Sequence, residues 1–287
     1  MTDIIKSLKN IDLASITVIG ASINFIWSVI IAILLLIYLS VITGSININV
    51  IILLLAMMFS VLIFSIPEYF GRAYLFNFLI SKLKEINIKI VDMDKITNIS
   101  IFSSALLCSI IALIISLITY PGILVAISLL SPVLQQLMFI EGGFFLIYAV
   151  IQLSNPLIIA YSFILTFISV VIATFIFNLI SPKIGGLKLE LTQEEDMTRI
   201  DSINYLNLAL IFATIAATIG LVIGIIISII AMNFAATISL IIYLIFGGFV
   251  GGFIVGGLTA ILYNFLAPRM GGLKIELVES LDDISDN

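Results

Sequence analysis

Few side chains in this sequence could do chemistry. Glu141 is the only carboxylate or basic side chain between Lys95 and Lys183, and it stands just before Gly142-Gly143 and close to Gln135 and Gln136. A glutamate buried in a bilayer has its pKa raised by loss of solvent and can accept protons or cations; in an outer loop it is merely solvated. Glu68 and Arg72 are four residues apart, in the order that favours an intrahelical ion pair, and they follow Pro67. Charge inside a membrane is costly and by default points to function. A helix that ends its span at Pro67 and continues along the interface would instead put the pair in the headgroup region, with Tyr69, Phe70, Tyr74 and Phe76 as an aromatic belt. The chain has no histidine, which excludes histidine-dependent metal sites and Ser-His or Cys-His nucleophile pairs. Its one cysteine, Cys108, lies in an apolar run and has no intrachain disulfide partner. No Walker loop or dinucleotide fingerprint occurs. The expectation is a protein that is not an enzyme, with no catalytic residue, no metal and no cofactor.

The elements that must position these residues are membrane helices. Of the 287 residues 62% are hydrophobic, and the mean hydropathy is +1.33. Soluble domains are about 45–50% apolar, so the partner implied is a lipid bilayer. A net charge of −5 argues against nucleic acid. Apolar runs at 16–42, 50–80, 99–120, 156–181, 203–232 and 238–267 are each long enough to cross. The segment 121–155, broken by Pro121 and Pro132, reads as re-entrant or interfacial. The first run exceeds the roughly 7–15 apolar residues of a cleaved signal and reads as a retained anchor. Residues 1–12 set Ile4, Ile5, Leu8 and Ile11 on one helical face and Lys6 and Lys9 on another, which suits either a short helix on the membrane surface or a solvated terminus. The acidic stretch from Glu279 to Asp286 reads as a solvated tail.

One stretch recurs. Tyr263-Asn264, then Pro268-Arg269-Met270-Gly271-Gly272-Leu273-Lys274-Ile275-Glu276-Leu277, matches Phe177-Asn178, then Pro182-Lys183-Ile184-Gly185-Gly186-Leu187-Lys188-Leu189-Glu190-Leu191. A degraded copy runs from Phe76-Asn77 to Ile86-Asn87-Ile88-Lys89-Ile90, without the proline or the glycines. Openings of the form apolar, two small or polar, apolar, polar occur at Leu13, Ile96 and Ile200. The spacing from opening to motif asparagine is 64 residues in the first and third copies and 82 in the second. The chain therefore divides into repeats at 1–95, 96–199 and 200–287, the second with an outer insertion of 18 residues near 126–143 (82 against 64).

Each part of the motif has a physical reading. The prolines discourage helix continuation. Gly-Gly permits a sharp change of direction. The alternation that follows suits a short strand with one apolar face. Asn77, Asn178 and Asn264 are placed to bond across helices or to carbonyls freed near a helix end. In the last run, Gly247, Gly248, Gly251, Gly252 and Gly256 have GxxxG spacing, which permits close packing on Ala216, Gly220 and Gly224 of the same hairpin; lining a conduit or a partner surface is the other use of such a face. The motif resembles the ends of uncharacterised archaeal and bacterial multi-pass membrane domains, which finish an apolar helix with an aromatic-Asn turn and a Gly-Gly-hydrophobic strand. That resemblance implies a membrane location and no particular activity.

The expected fold is all-α and integral to the membrane: six transmembrane helices in three tandem hairpins, with short cytoplasmic strand-like turns. Lys and Arg cluster at 6–9, 72–95, 183–199 and 269–274, which six crossings put on one side, so both termini are expected in the cytoplasm and the protein in the plasma membrane. The expected role is packing or assembly, with a membrane-protein partner or a second copy. The alternative is an ion or small-solute transporter or channel that uses Glu141, with or without Glu68 and Arg72.

Overall fold

The computed structural model describes residues 3–44, 48–137, 148, 150–231 and 234–280. The chain divides into two compact units, Met1–Ser100 with Ile172–Asn287, and Ile101–Val171. In chain order the principal elements are β1 (Asp3–Ile11), α1 (Leu13–Thr43), α2 (Ile48–Ile80), β2 (Ile86–Val91), β3 (Lys95–Ile99), α3 (Ile101–Leu137), α4 (Leu157–Ile180), β4 (Leu187–Glu194), β5 (Met197–Ile203), α5 (Tyr205–Ala231), α6 (Phe234–Met270) and β6 (Leu273–Glu279). All six helices are long and apolar enough to cross a membrane. At 1.5 Å per residue the 33-residue α2 is about 50 Å long, well beyond a hydrocarbon core of about 30 Å.

The six strands close into one antiparallel barrel in the order β1 to β6, with β6 returning to β1. This corrects the all-α expectation. Three strand–helix–helix–strand segments supply the barrel, so every helix end that meets a strand lies on one rim, the helix-side rim. The opposite, far rim carries two tight turns, at 92–94 and 195–196, together with Asp3 and Glu279. In the first turn Asp92 and Met93 both take left-handed backbone angles.

Period-two patterning fills the inside. Ile86, Ile88 and Ile90 of β2 are all buried, and Leu189 and Ile200 form a buried cluster with Ile19, Tyr263 and Ala267, against which Leu191, Leu273 and Ile275 pack. A barrel this narrow is packed with side chains rather than hollow along its length. β1 obeys the same rule: Ile4, Lys6 and Leu8 stand opposite Ile90, Ile88 and Ile86. The surface helix expected over 1–12 is thus replaced by a strand. Its apolar spacing fits both structures, and ladders to β2 and β6, which local periodicity does not register, decide for the extended form.

The unit Ile101–Val171 holds α3 and most of α4. The Ser116 and Ser162 hydroxyls pair at 2.8 Å, Tyr120 Oη donates to Ser154 O at 2.6 Å, and the Phe102 and Phe167 rings meet edge to face at 6.0 Å.

Candidate functional site

The helix-side rim is where the repeated motif does its work. Ile11 N–H donates to Asn77 Oδ1 at 2.9 Å, and Asn77 Nδ2 donates to Ile11 O at 2.8 Å. Asn178 makes the same pair of bonds with Ile99, both at 2.8 Å. Asn264 does so with Ile203, at 2.8 and 2.9 Å. Each carboxamide pairs like a strand peptide with the last residue of the strand that opens its own segment. It holds the end of the second helix to the start of the first. The partners are therefore strand ends, not helix carbonyls. In this frame the stretch of the first segment equivalent to Ile96–Ile99 and Ile200–Ile203 is Leu8-Lys9-Asn10-Ile11, five residues before Leu13. The residues after Ile11 and Ile203 begin the next helix: Asp12 Oδ2 accepts from Ser15 N–H at 2.6 Å, and Asn204 Oδ1 from Asn207 N–H at 3.0 Å.

The aromatic residue before each asparagine is buried: Phe76, Phe177 and Tyr263. Only Tyr263 has a hydroxyl, and it is used. Leu273 N–H donates to Tyr263 Oη at 3.0 Å, and Tyr263 Oη donates to Ile200 O at 2.5 Å. The hydroxyl thus bridges β6 to β5 at their helix-side end.

In the last copy the glycines, not the proline, end the helix; in the second the helix ends at Ile180, just before Pro182. Pro268 lies inside the last turn of α6, while Gly271 and Gly272 N–H both donate to Ala267 O, at 3.0 and 2.9 Å. Pro182 starts a 3-10 turn over Ser181–Ile184, closed by Gly186 N–H to Ser181 O at 2.7 Å. Gly185, Gly186, Gly271 and Gly272 all have φ between +67° and +88°. The second glycine of each pair is also crowded. A Cβ on Gly272 would lie 2.7 Å from Ile200 O, and one on Gly186 2.8 Å from Lys95 Cβ, whereas Gly271 has open space. The first segment, lacking these glycines, leaves α2 at Ile80 and takes five residues to reach β2.

The glycines of α6 divide between two faces. A Cβ on Gly248, Gly252 or Gly256 would stand 2.5–2.9 Å from the α5 backbone or side chains, and Gly220 and Gly224 are equally crowded by α6. Gly247 and Gly251 have nothing within 4 Å. The tight face lies within the hairpin.

Glu68 and Arg72 form an ion pair at 2.7 Å with both side chains exposed, and α2 runs through Pro67 without ending. Between them Tyr69 turns inward. Its ring packs on Gly20, and its hydroxyl donates to Asn24 Oδ1 at 3.3 Å. Glu141 lies outside the described residues.

The outer barrel face carries a charge network that no local pattern announces, because its members lie on three strands. Arg199 pairs with Glu194 and, at 2.5 Å, with Asp201; Lys274 reaches Glu194 at 2.8 Å; Thr192 donates to Asp201. The Lys274 hydrogen bond, with Arg199 beside it, holds the Glu194 carboxyl below its ordinary range. The Thr192 hydroxyl and then Arg199 do the same for Asp201. At the far rim the barrel interior opens into a cavity of about 200 Å³, walled by Ile4, Ile90, Leu191 and Leu277 with Lys6 and Thr198.

The chain gives no significant match to any known family model, curated protein or solved structure.

Proposed function

We propose that this protein is a non-enzymatic scaffold of the plasma membrane, in which a cytoplasmic barrel ties membrane-spanning hairpins together and offers its outer surface to a partner. The observation that carries the reading is the asparagine clamp, made three times with the same two bonds to a strand end. A device repeated in this way holds geometry; it does not bind or convert a substrate. The packed barrel interior supports the reading: Ile86, Ile88, Ile90, Leu189 and Ile200 are all buried. So does the ion pair of Glu68 and Arg72, both of whose side chains are exposed. The orientation rests on charge. The chain has 12 Lys and Arg, and apart from Arg72 they lie in the barrel or at the junctions of its helix-side rim. The positive-inside rule then favours a cytoplasmic barrel and cytoplasmic termini.

The test is ion flux in proteoliposomes. Wild type and Glu141→Gln should both match empty vesicles for protons, sodium and potassium. Flux in the wild type that Glu141→Gln abolishes would replace the scaffold by a transporter or channel.

A further inference from the structure

The barrel wall is incomplete along one side of β6. Asp12 N–H donates to Lys274 O at 2.9 Å, on the β1 side of the strand. Backbone groups alternate along a strand, so even-numbered residues of β6 face β1 and odd-numbered residues face β5. The β5–β6 register runs only from Ile200↔Leu273 to Thr198↔Ile275, because β5 begins at Met197 and the chain turns back there into β4. β6 continues to Glu279 with β1 as its one neighbour. Leu277 and Glu279 therefore aim backbone N–H and C=O groups at a place where, among the described residues, no strand lies. A surface hollow of about 520 Å³ occupies that place, with Met197, Leu277 and Val278 as apolar wall and Glu195, Asp196 and Glu276 as polar wall.

The charges around the hollow are unbalanced. Glu194 and Asp201 next to it are neutralised by Arg199 and Lys274. Glu195, Asp196, Glu276 and Glu279 make no ion pair among the described residues.

We propose that this seam accepts an added strand: an extended segment of a cytosolic protein partner that carries both cationic and aliphatic side chains. The inference rests on the scaffold reading and names the partner that scaffold holds. A strand laid against β6 would take up the backbone groups of Leu277 and Glu279, the ordinary basis of strand addition. Side chains alternate across a strand. Leu277 and Glu279 therefore lie on one face of β6 and Glu276 and Val278 on the other, so each face of the added strand would meet an aliphatic and an acidic side chain. Charge selects the occupant. The chain's own C-terminal residues bring Asp282, Asp283 and Asp286, and a second copy would bring the same acidic seam, so both are disfavoured by like charge.

The test uses the full-length protein in nanodiscs of zwitterionic lipid and a fluorescent synthetic peptide of lysine and valine. The peptide should bind saturably and slow amide exchange at Leu277 and Glu279. The E195K/D196K/E276K variant should bind it about tenfold more weakly or worse, as expected for the loss of several rim charges. A peptide N-methylated at alternate residues, which cannot pair along one edge, should fail to bind wild type. No saturable binding would overturn the proposal. So would binding that leaves both amides exchanging freely, or binding that N-methylation does not weaken. If the charge-reversed variant does not fold, the N-methylated peptide decides on wild type alone. Failure here leaves the scaffold reading intact, since that reading falls only to ion flux.

Discussion

The two rims of the barrel are built from the same six strands and treated in opposite ways. At the helix-side rim every segment spends an asparagine on the end of its opening strand, and the Tyr263 hydroxyl links Leu273 N–H to Ile200 O. At the far rim the ladders stop early, β6 runs on past β5, and acidic side chains stand around the gap with no ion pair among the described residues. The difference is one of exposure. Helix termini and strand ends next to a bilayer lose water as a partner, so each backbone group there needs a protein partner. Polar groups at the far rim keep water and can wait for another chain.

The contrast can be broken by substitution. Asn264→Ala removes two bonds and leaves the Ile203 peptide groups without partners. It should lower unfolding stability by about 2–4 kcal/mol in detergent, while Glu276→Ala at the far rim should stay within about 0.5 kcal/mol. Equal losses at the two positions would erase the distinction. The glycine pair sharpens it further. Gly272→Ala meets both a left-handed backbone and the Ile200 carbonyl, and should cost about 2–3 kcal/mol. Gly271→Ala meets the backbone term alone and should cost about 1 kcal/mol, read as the difference in unfolding midpoint. Tyr263→Phe, which restores the aromatic type found at Phe76 and Phe177, should cost about 1–2 kcal/mol by orphaning Leu273 N–H and Ile200 O. A neutral result would mean that β5 and β6 close up and bond directly.

The smallest effect concerns pH. Glu194 and Asp201 have folded pKa values below their ordinary ones. Their contribution to stability is therefore present above the ordinary carboxylate range and is lost as pH falls through and below about 4. Unfolding stability should drop on acidification across that window. The drop should be smaller in Arg199→Gln, which removes a shared partner of both carboxylates.

Much of the framework could be read from the residues. The six helices long enough to cross follow from runs of apolar side chains of bilayer length, and the turn glycines follow from a helix that must reverse into a strand. The asparagines were visible as a spacing, but their partners were not, because Ile11, Ile99 and Ile203 lie far off in sequence and nothing local marks a strand end as a receptor. β1 was hidden for a related reason. Ile4, Ile5, Leu8 and Ile11 satisfy a helical face, and only pairing with β2 and β6 makes the extended form the stable one. The acidic seam was invisible in the same way, since its walls come from the β4–β5 turn and from β6. Pro67 misled in the other direction: a proline inside a helix costs one hydrogen bond, and α2 continues through it.

The most direct test of a barrel clamped at one rim and open at the other is amide exchange on the full-length protein in nanodiscs. The account predicts strong protection of Ile11, Ile99 and Ile203, whose N–H groups are held by asparagines, and near-unprotected exchange at Leu277 and Glu279. Fast exchange at the three isoleucines, or protection at Leu277 and Glu279 in the protein alone, would contradict it.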